Sequence, residues 1–257
     1  MLDGLLQGSL EDAARRRAEK PTALVEREAL EREPALDALA LLAPRERVHI
    51  IAEVKRASPS RGELAEIPDP AALAAIYEGA GASAVSVLTE ERRFKGSLAD
   101  LEAVRAAVRI PVLRKEFIGE EHQLLEARAA GADLALLIVA ALEQPVLERL
   151  ARFTEQLGMT PLIEAHSRDE VLRGVDAGAG LLGVNARDLT TFELHPERFG
   201  ELRGLIPAGV VAVAESAVSK PADVRAYRDA GADAVLIGEA LVTDGDPAST
   251  MEALLSA

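Results

Sequence analysis

Eight short apolar runs recur along the chain, separated by longer segments with helical periodicity. The runs begin 20 to 35 residues apart and occupy positions 48–55, 83–88, 111–117, 133–139, 161–165, 181–187, 210–216 and 233–238. Their apolar residues are largely consecutive, which is typical of strands buried on both faces of a parallel sheet. The intervening segments, such as SLADLEAVRAAV and PADVRAYRDA, place apolar residues three or four apart, as helices do. The pattern predicts eight strand–helix units.

An Ala-Gly-Ala triplet precedes every second predicted strand. The central glycines are Gly81, Gly131, Gly178 and Gly231, which are 50, 47 and 53 residues apart. A glycine just past the end of a helix takes the positive φ that closes the helix, and we expect that conformation at all four positions. The repeat indicates either a fold built by duplication or one helix–strand loop used repeatedly.

Eight strand–helix units in 257 residues fit a (β/α)8 TIM barrel. A doubly wound open sheet is the alternative, but no G-x-G-x-x-G motif follows the first run. We therefore predict an α/β protein of one domain, with the barrel in residues 48–257 and an N-terminal helical extension, residues 1–47, packed on it. In the extension, the segment from Ser9 to Asp12 resembles a helix N-cap, and DALALLAPRER predicts another helix that ends near Pro44.

Composition narrows the possible classes of protein. Apolar residues make up 49% of the chain and aromatic residues 3%, so the core must be aliphatic. The chain has no cysteine, which excludes disulfides, thiolate metal sites and cysteine nucleophiles. A net charge of −14 argues against nucleic-acid binding. No apolar run is long enough to span a membrane and the first residues lack a signal-peptide pattern, so we expect a soluble cytoplasmic protein.

Polar residues end several of the predicted strands, where a barrel enzyme has its active site. The set comprises Glu53, Lys55, Lys115, Glu164, Asn185 and Glu215. Residues two apart on a strand face the same side, so Glu53 and Lys55 should point into the barrel mouth together. Buried charges must be paired, and close opposite charges shift pKa values as acid–base chemistry requires. Any one of them alone would be read as a rim charge or a loop cap; together they predict a catalytic site.

Lysine is scarce, with 5 residues at positions 20, 55, 95, 115 and 220 among 29 basic residues. Arginine does not lose its proton near neutral pH, whereas lysine does when its surroundings favour it, so Lys55 and Lys115 are the candidates for proton transfer. The four histidines show no metal-ligand spacing, and no H-E-x-x-H or EF-hand pattern occurs. We expect no metal and no cofactor.

Small residues follow the last two predicted strands, in AESAVSKPADV and LIGEALV. Backbone N–H groups and a helix N-terminus in these loops would bind a phosphate, as barrels often do after strands seven and eight. A tight loop without a ligand is the alternative. Glu90 is predicted to form a rim ion pair, and Arg187 either does the same or contacts the ligand.

The segment IIAEVKRASPSRGEL closely resembles the signature of the indole-3-glycerol phosphate synthase family. The match continues through SVLTEERRFKGSLADL, PVLRKEFI, PLIEAHS, LLGVNARDLTTF, VAVAESAVS and VLIGEAL, over about residues 48–245. The resemblance implies conversion of 1-(2-carboxyphenylamino)-1-deoxyribulose 5-phosphate to indole-3-glycerol phosphate, carbon dioxide and water in tryptophan biosynthesis. Members of the family are often monomers, so the resemblance also implies a monomer.

The resemblance assigns roles by position. Lys115 would be the general acid of ring closure, Glu164 would handle a proton later in the reaction, and Lys55 would pair with the substrate carboxylate or phosphate. Glu53, Asn185 and Glu215 would bind ribulose hydroxyls and orient the lysines. The remaining assignments place Ser216, Ala217, Gly238 and Glu239 at the phosphate, Phe94, Phe117 and Leu137 around the anthranilate ring, and Ser58 and Arg187 close by.

One residue departs from the family pattern, because Ala217 stands where many relatives have glycine. We expect a negative φ at Ala217 and an intact phosphate site, since alanine is strained at positive φ. Two other functions remain possible at this point. Phosphoribosylanthranilate isomerase uses a cysteine at the end of strand one, which this chain lacks. A non-catalytic barrel that binds a phosphorylated metabolite would not need Lys55, Lys115 and Glu164 together.

Overall fold

The computed structural model describes residues 2–189, 191–243 and 245–257. Eight parallel strands form a closed barrel in which each strand pairs with its neighbours in sequence and the last pairs with the first. The barrel strands are β1 His49–Val54, β2 Ala84–Leu88, β3 Val112–Lys115, β4 Leu134–Ile138, β5 Thr160–Ala165, β6 Leu181–Asn185, β7 Val211–Glu215 and β8 Ala234–Ile237. The predicted (β/α)8 TIM barrel is confirmed. A two-residue hairpin, Ala57–Ser58 with Gly62–Glu63, follows β1.

Most of the helices connect consecutive strands on the outside of the barrel, whereas the first three precede β1 and the last two follow β8. They are α1 Leu2–Glu19, α2 Thr22–Glu31, α3 Ala38–Leu41, α4 Pro70–Gly79, α5 Leu98–Ala107, α6 Glu121–Ala129, α7 Gln144–Gln156, α8 Arg168–Asp176, α9 Arg198–Arg203, α10 Pro221–Asp229, α11 Glu239–Thr243 and α12 Pro247–Leu255, with a 3-10 turn at Val139–Ala141. The four repeat glycines have φ of 101°, 92°, 85° and 90°, so the prediction of positive φ is confirmed. Each lies directly after an alanine that ends its helix, where a Cβ is disfavoured.

Two apolar layers share the barrel strands, because successive side chains point to opposite faces. On β4, Leu134, Leu136 and Ile138 belong to the cluster inside the barrel. Ala135 and Leu137 pack instead in the layer between strands and helices. Both layers are fully buried, which explains why the strands appear in the sequence as continuous apolar runs.

The N-terminal helices contact both ends of the barrel. Leu5 of α1 joins the inner apolar cluster at the mouth formed by the carboxyl ends of the strands, beside Phe117. Ala38 and Leu42 join the same cluster near the first residues of the strands, and each is fully buried. The segment that precedes the barrel therefore packs at the rim of the mouth and at the opposite end.

The predicted helix start at Ser9 is wrong, because Ser9 lies inside α1. Its hydroxyl donates to Glu116 Oε1 at 3.1 Å and accepts from the Gln123 side-chain amide at 2.8 Å. A tertiary contact thus uses the group that the sequence pattern assigned to a cap. The helix predicted to end near Pro44 is present as α3, capped by the Asp37 carboxylate.

A buried polar network ties α1 to the strand that carries Lys115, and we call it the α1 seam. It consists of Ser9, Arg16, Thr89, Arg114, Glu116, Gln123 and Glu126. Arg114 Nε donates to Thr89 Oγ1 at 3.1 Å, and Thr89 Oγ1 donates to Glu116 Oε2 at 2.9 Å. Arg16 Nε donates to Glu126 at 2.7 Å, and the same carboxylate accepts from Arg114 at 3.3 Å. Arg114 and Glu116 flank Lys115 in sequence, so the seam adjoins the functional end of β3.

In the part of the chain that the structure describes, no helix is long and apolar enough to cross a membrane.

Candidate active site

Lys115 lies between two carboxylates at the centre of the barrel mouth. Its ammonium donates to Glu164 Oε2 at 2.6 Å and to Glu215 Oε2 at 3.0 Å. Lys115, Glu164 and Glu215 come from the ends of β3, β5 and β7, so barrel closure brings together residues distant in sequence. Both carboxylates are 1% exposed, and the lysine side chain is 13% exposed. The ion pairs are therefore largely shielded from water, where charge interactions are strong.

Burial and neighbouring charges shift the pKa values of Lys115, Glu164 and Glu215 in different directions. Burial disfavours the Lys115 ammonium, but Glu164 and Glu215 outweigh it, so the pKa of Lys115 is raised. Burial likewise opposes ionisation of Glu164, but Lys115 and His166 hold its pKa well below the usual range. At Glu215, burial and repulsion from Glu164 raise the pKa to about 8. The site thus contains a protonated lysine, an ionised glutamate and a glutamate able to take up a proton near neutral pH.

A second lysine lies beside its own carboxylate at the end of β1. Lys55 Nζ is 2.9 Å from Glu53 Oε1, and Ser86 Oγ donates to Glu53 Oε2 at 3.2 Å. The spacing of two residues directs both side chains into the mouth. Glu53 is held on one side by β2 and orients Lys55 on the other.

Asn185 at the end of β6 contacts both Glu164 and the loops that follow β6 and β7. Its amide nitrogen donates to Glu164 Oε1 at 3.3 Å. Its carbonyl oxygen accepts from the Arg187 backbone at 2.9 Å and from Ser216 Oγ at 2.8 Å. Asn185 therefore caps its own loop and links the Glu164 carboxylate to the loop after β7.

An apolar cavity of about 110 Å³ opens beside Lys115. Phe94 and Phe117 line it, with ring centroids 6.1 Å apart, and Ser58 lies at its edge in the hairpin after β1. Leu137 does not line this cavity, so the assignment of Leu137 to the ring pocket is wrong. It points outward into the strand–helix layer, whereas its neighbours Leu136 and Ile138 face the cavity.

A more polar cavity of about 500 Å³ adjoins the first one. Its lining includes all four candidate phosphate-binding residues, namely Ser216, Ala217, Gly238 and Glu239, together with Lys55. Gly238 permits this close arrangement, because a Cβ there would lie 2.6 Å from Glu53 Oε1 and 3.1 Å from Lys55 Nζ.

Arg187 lies between the two cavities and lines both. Its Nη1 donates to Ser60 Oγ at 3.3 Å and to the Phe192 carbonyl at 3.2 Å, while its Nη2 is 3.8 Å from Glu239. Arg61 also reaches Glu239, at 2.8 Å. These contacts connect the loop after β1 to the start of α11 across the mouth. Arg187 lies near Glu239, as a rim ion pair requires, and it also lines both cavities, as a contact with the ligand requires. Its position is compatible with both predicted roles.

The family model described as indole-3-glycerol phosphate synthase matches residues 2–254 of the chain. The chain belongs to the indole-3-glycerol phosphate synthase family. The resemblance drawn from its motifs is confirmed. Similar relatives include the indole-3-glycerol phosphate synthases of Leifsonia xyli subsp. xyli, 64% identical over 98% of this chain and 96% of that protein, and of Beutenbergia cavernae, 55% identical over 100% and 95%.

Solved structures that are distant in sequence share the barrel fold. Thiamine phosphate pyrophosphorylase from Pyrococcus furiosus aligns with a TM-score of 0.60 at 15% identity, over 80% of this chain and 93% of that one. A structure titled "Native KDPGal structure" aligns with a TM-score of 0.59 at 18% identity, over 82% and 95%. At this identity the likeness concerns the fold alone.

The departure from the family pattern at Ala217 has a structural consequence. Ala217 has φ of 57° and Ser216 has φ of 69°, so the prediction of a negative φ at Ala217 is wrong. The chain must turn sharply from β7 into the loop before α10, and it does so with two consecutive left-handed residues. Ser216 is fixed by its contact with Asn185 and by the Tyr227 hydroxyl, which donates to its carbonyl at 3.2 Å. These contacts impose the turn on the alanine that follows.

Replacing Ala217 with glycine is expected to raise the free energy of unfolding by about 1 kcal/mol, because glycine adopts positive φ without a Cβ clash. Chemical denaturation followed by circular dichroism measures this. Ala80→Gly is the matched control, since Ala80 has φ of −84° and gains nothing from glycine. That variant should lose roughly 0.4–1 kcal/mol. Destabilisation of both variants would contradict strain at Ala217.

Glu90 does not form the rim ion pair predicted for it. The side chain is buried and accepts from the backbone N–H groups of Arg92, Arg93 and Phe94 at 3.1, 2.6 and 2.9 Å. Glu90 therefore shapes the loop that presents Phe94 to the apolar cavity. A carboxylate followed by the residues of a tight loop is a local signal for this arrangement.

Sequence reasoning missed several residues of the site. Leu5 comes from the N-terminal extension, and Leu136 and Ile138 are indistinguishable in sequence from other residues of an apolar strand. His166 was passed over because it has no metal spacing, yet it lies two residues beyond Glu164 and touches it. Within the described ranges, no group of three or more histidine or acidic side chains is arranged to hold a metal ion.

Proposed function

We propose that this chain closes the indole ring of 1-(2-carboxyphenylamino)-1-deoxyribulose 5-phosphate, with loss of carbon dioxide and water, to give indole-3-glycerol phosphate. Family membership makes it a carboxy-lyase of tryptophan biosynthesis. The observation that carries the mechanism is the position of two carboxylate-paired lysines between an apolar and a polar cavity. Such a site can bind an aromatic ring at one end and a phosphate at the other.

The two cavities fix the orientation of the substrate in this proposal. The anthranilate ring enters the apolar cavity against Phe94 and Phe117, and the phosphate binds the backbone around Ser216 and Gly238 in the polar one. The ribulose chain then crosses Lys115, Glu164 and Glu215, and the Lys55 ammonium is placed to pair with the substrate carboxylate or phosphate. Asn185 and Glu53 supply acceptors and donors for the hydroxyls.

Ring closure needs an acid at the substrate carbonyl. The Lys115 ammonium gives its proton to the carbonyl oxygen as the aromatic carbon that bears the carboxylate bonds to the carbonyl carbon. Release of carbon dioxide leaves its bonding electrons in the ring and restores aromaticity. The two carboxylates keep Lys115 charged until the substrate arrives.

Dehydration requires one group to protonate the departing hydroxyl and another to accept a proton from carbon. Glu164 is the ionised carboxylate of the site and is suited to accept the proton from carbon. Lys55 is the donor, because Lys115 gave its proton in the ring-closure step. After the product leaves, each group returns to its starting protonation state by exchanging protons with water.

The wild-type chain should produce a rise in indole fluorescence when incubated with the carboxyphenylamino-deoxyribulose phosphate. Absence of that rise anywhere between about pH 5 and pH 10, an interval just inside the ordinary pKa values of glutamate and lysine, would sink the proposal. Turnover of phosphoribosylanthranilate instead would favour the isomerase, although that family's cysteine is missing here. Tight binding of the substrate without turnover would favour a non-catalytic binding protein.

We further infer a cytoplasmic monomer in which residues 1–47 and 48–257 form one domain. The α1 seam and the apolar contacts of Leu5, Ala38 and Leu42 support the single domain. Light scattering at the mass of one 27.2 kDa chain and a single unfolding transition are the expected results.

A further inference from the structure

His166 lies directly beyond β5, on the side of Glu164 away from Lys115. Its Nε2 is 3.2 Å from Glu164 Oε1, while Lys115 contacts Glu164 Oε2. The imidazole is 9% exposed and lines neither of the two cavities described above. His166 therefore touches a working carboxylate without reaching the space in which a substrate would bind.

A second carboxylate holds the other side of the ring. Glu170, in the first turn of α8, accepts from His166 Nδ1 at 3.0 Å and from the His166 backbone N–H at 2.9 Å. Ser167 Oγ, which caps α8, donates to the same carboxylate at 3.2 Å. The imidazole thus lies between Glu164 and Glu170, with Nε2 3.2 Å from an oxygen of Glu164 and Nδ1 3.0 Å from an oxygen of Glu170.

The arrangement favours a charged imidazole. Nε2 makes no well-aligned hydrogen bond, so its attraction to Glu164 is mainly that of a cation for an anion. Burial opposes the charge, but Glu164 and Glu170 outweigh it and raise the pKa of His166 to about 9. The other charged groups that face Glu164 are Lys115 from β3 and Glu215 from β7.

We propose that His166 is a positioning residue of this site, whose imidazolium holds Glu164 in place and keeps it ionised when Lys115 gives its proton to the substrate. Once Lys115 is neutral, Glu164 and Glu215 lose the cation between them. His166 is then the cation that still contacts Glu164. This inference rests on the proposed roles of Lys115 and Glu164.

His166→Gln tests the charge, because glutamine retains hydrogen-bonding groups but carries no proton that titrates. In the full chain, kcat should fall about tenfold at neutral pH while KM changes less than about twofold. Loss of the cation raises the pKa of Glu164, so the acidic limb of the kcat profile should move to higher pH. The difference from wild type should shrink above about pH 9, where wild-type His166 is itself neutral.

His122→Gln is the matched control, since His122 is also buried and also has a glutamate four residues later, at 3.6 Å, but contacts neither Lys115 nor Glu164. It should keep the wild-type pH profile whatever its Tm. Should His166→Gln fail to fold, Glu170→Gln removes only the outer carboxylate and should move the acidic limb in the same direction by less.

An unchanged kcat profile in folded His166→Gln, or in Glu170→Gln when the first variant does not fold, would overturn this inference. A loss of stability without any shift of the profile would show a structural role and would also overturn it. Wild-type chain that produces no indole fluorescence would instead defeat the proposed function, so the two failures are distinguishable.

Discussion

Lys115→Met is expected to abolish turnover while substrate affinity stays within about tenfold, or ~1.4 kcal/mol. Methionine fills similar volume but cannot protonate the carbonyl, and loss of a general acid costs at least about a hundredfold in rate. Loss of the ammonium also leaves Glu164 and Glu215 facing each other, so we expect one of them to take up a proton. Indole fluorescence measures turnover, and calorimetric titration with the substrate measures affinity.

Lys20→Met is the control for this variant, because Lys20 lies between α1 and α2, pairs with Glu28 and lines neither cavity of the mouth. Its kcat should equal that of wild type. Circular dichroism must show that Lys115→Met remains folded. Near-normal turnover of folded Lys115→Met would remove Lys115 from the role of acid.

Gly183→Ala is expected to lower kcat/KM at least about a hundredfold, because misplacing a catalytic group by about 1 Å costs that much. Gly183 lies on β6 between Glu164 and Val213 of the adjacent strands. A Cβ there would be 2.1 Å from Glu215 Oε1, much closer than non-bonded atoms approach. We therefore expect the carboxylate to shift and its 3.0 Å contact with Lys115 to be disturbed.

Overpacking of this kind should also reduce stability by roughly 1–3 kcal/mol. Gly204→Ala is the matched control, since Gly204 has φ of −65° and no atom within 4 Å of the added Cβ. It should match wild type in activity. If Gly183→Ala keeps wild-type kcat/KM, the position of Glu215 has no bearing on catalysis.

The positions of the strand ends could be predicted from the sequence, and with them much of the candidate site. Polar residues interrupt long apolar runs at Lys115, Glu164 and Glu215, and parallel strands place those interruptions at one end of the barrel. The inward or outward direction of a wholly apolar residue could not be predicted. Leu136 and Leu137 are chemically the same, and both faces of the strand are buried, so no polar residue marks which of them faces the cavity.

The other wrong predictions have different physical causes. The sequence pattern predicts a local cap at Ser9, but its hydroxyl bonds with Glu116, which the fold brings to it. It predicts a rim ion pair at Glu90, but the carboxylate instead binds backbone N–H groups of the loop that follows it. At Ala217, the preference of alanine for negative φ yields to contacts made by the preceding residue. Local preferences of about 1 kcal/mol cannot compete with several buried hydrogen bonds.

The α1 seam has a consequence for evolving this enzyme in the laboratory. At the carboxyl end of β3 three consecutive residues serve two purposes. Lys115 faces the mouth, whereas Arg114 and Glu116 bind partners that also hold α1. Substitutions at Arg114 or Glu116 should therefore be non-additive with substitutions at Ser9 and Arg16. A mutant library that varies these four positions together will retain folded clones that libraries randomising each position alone discard.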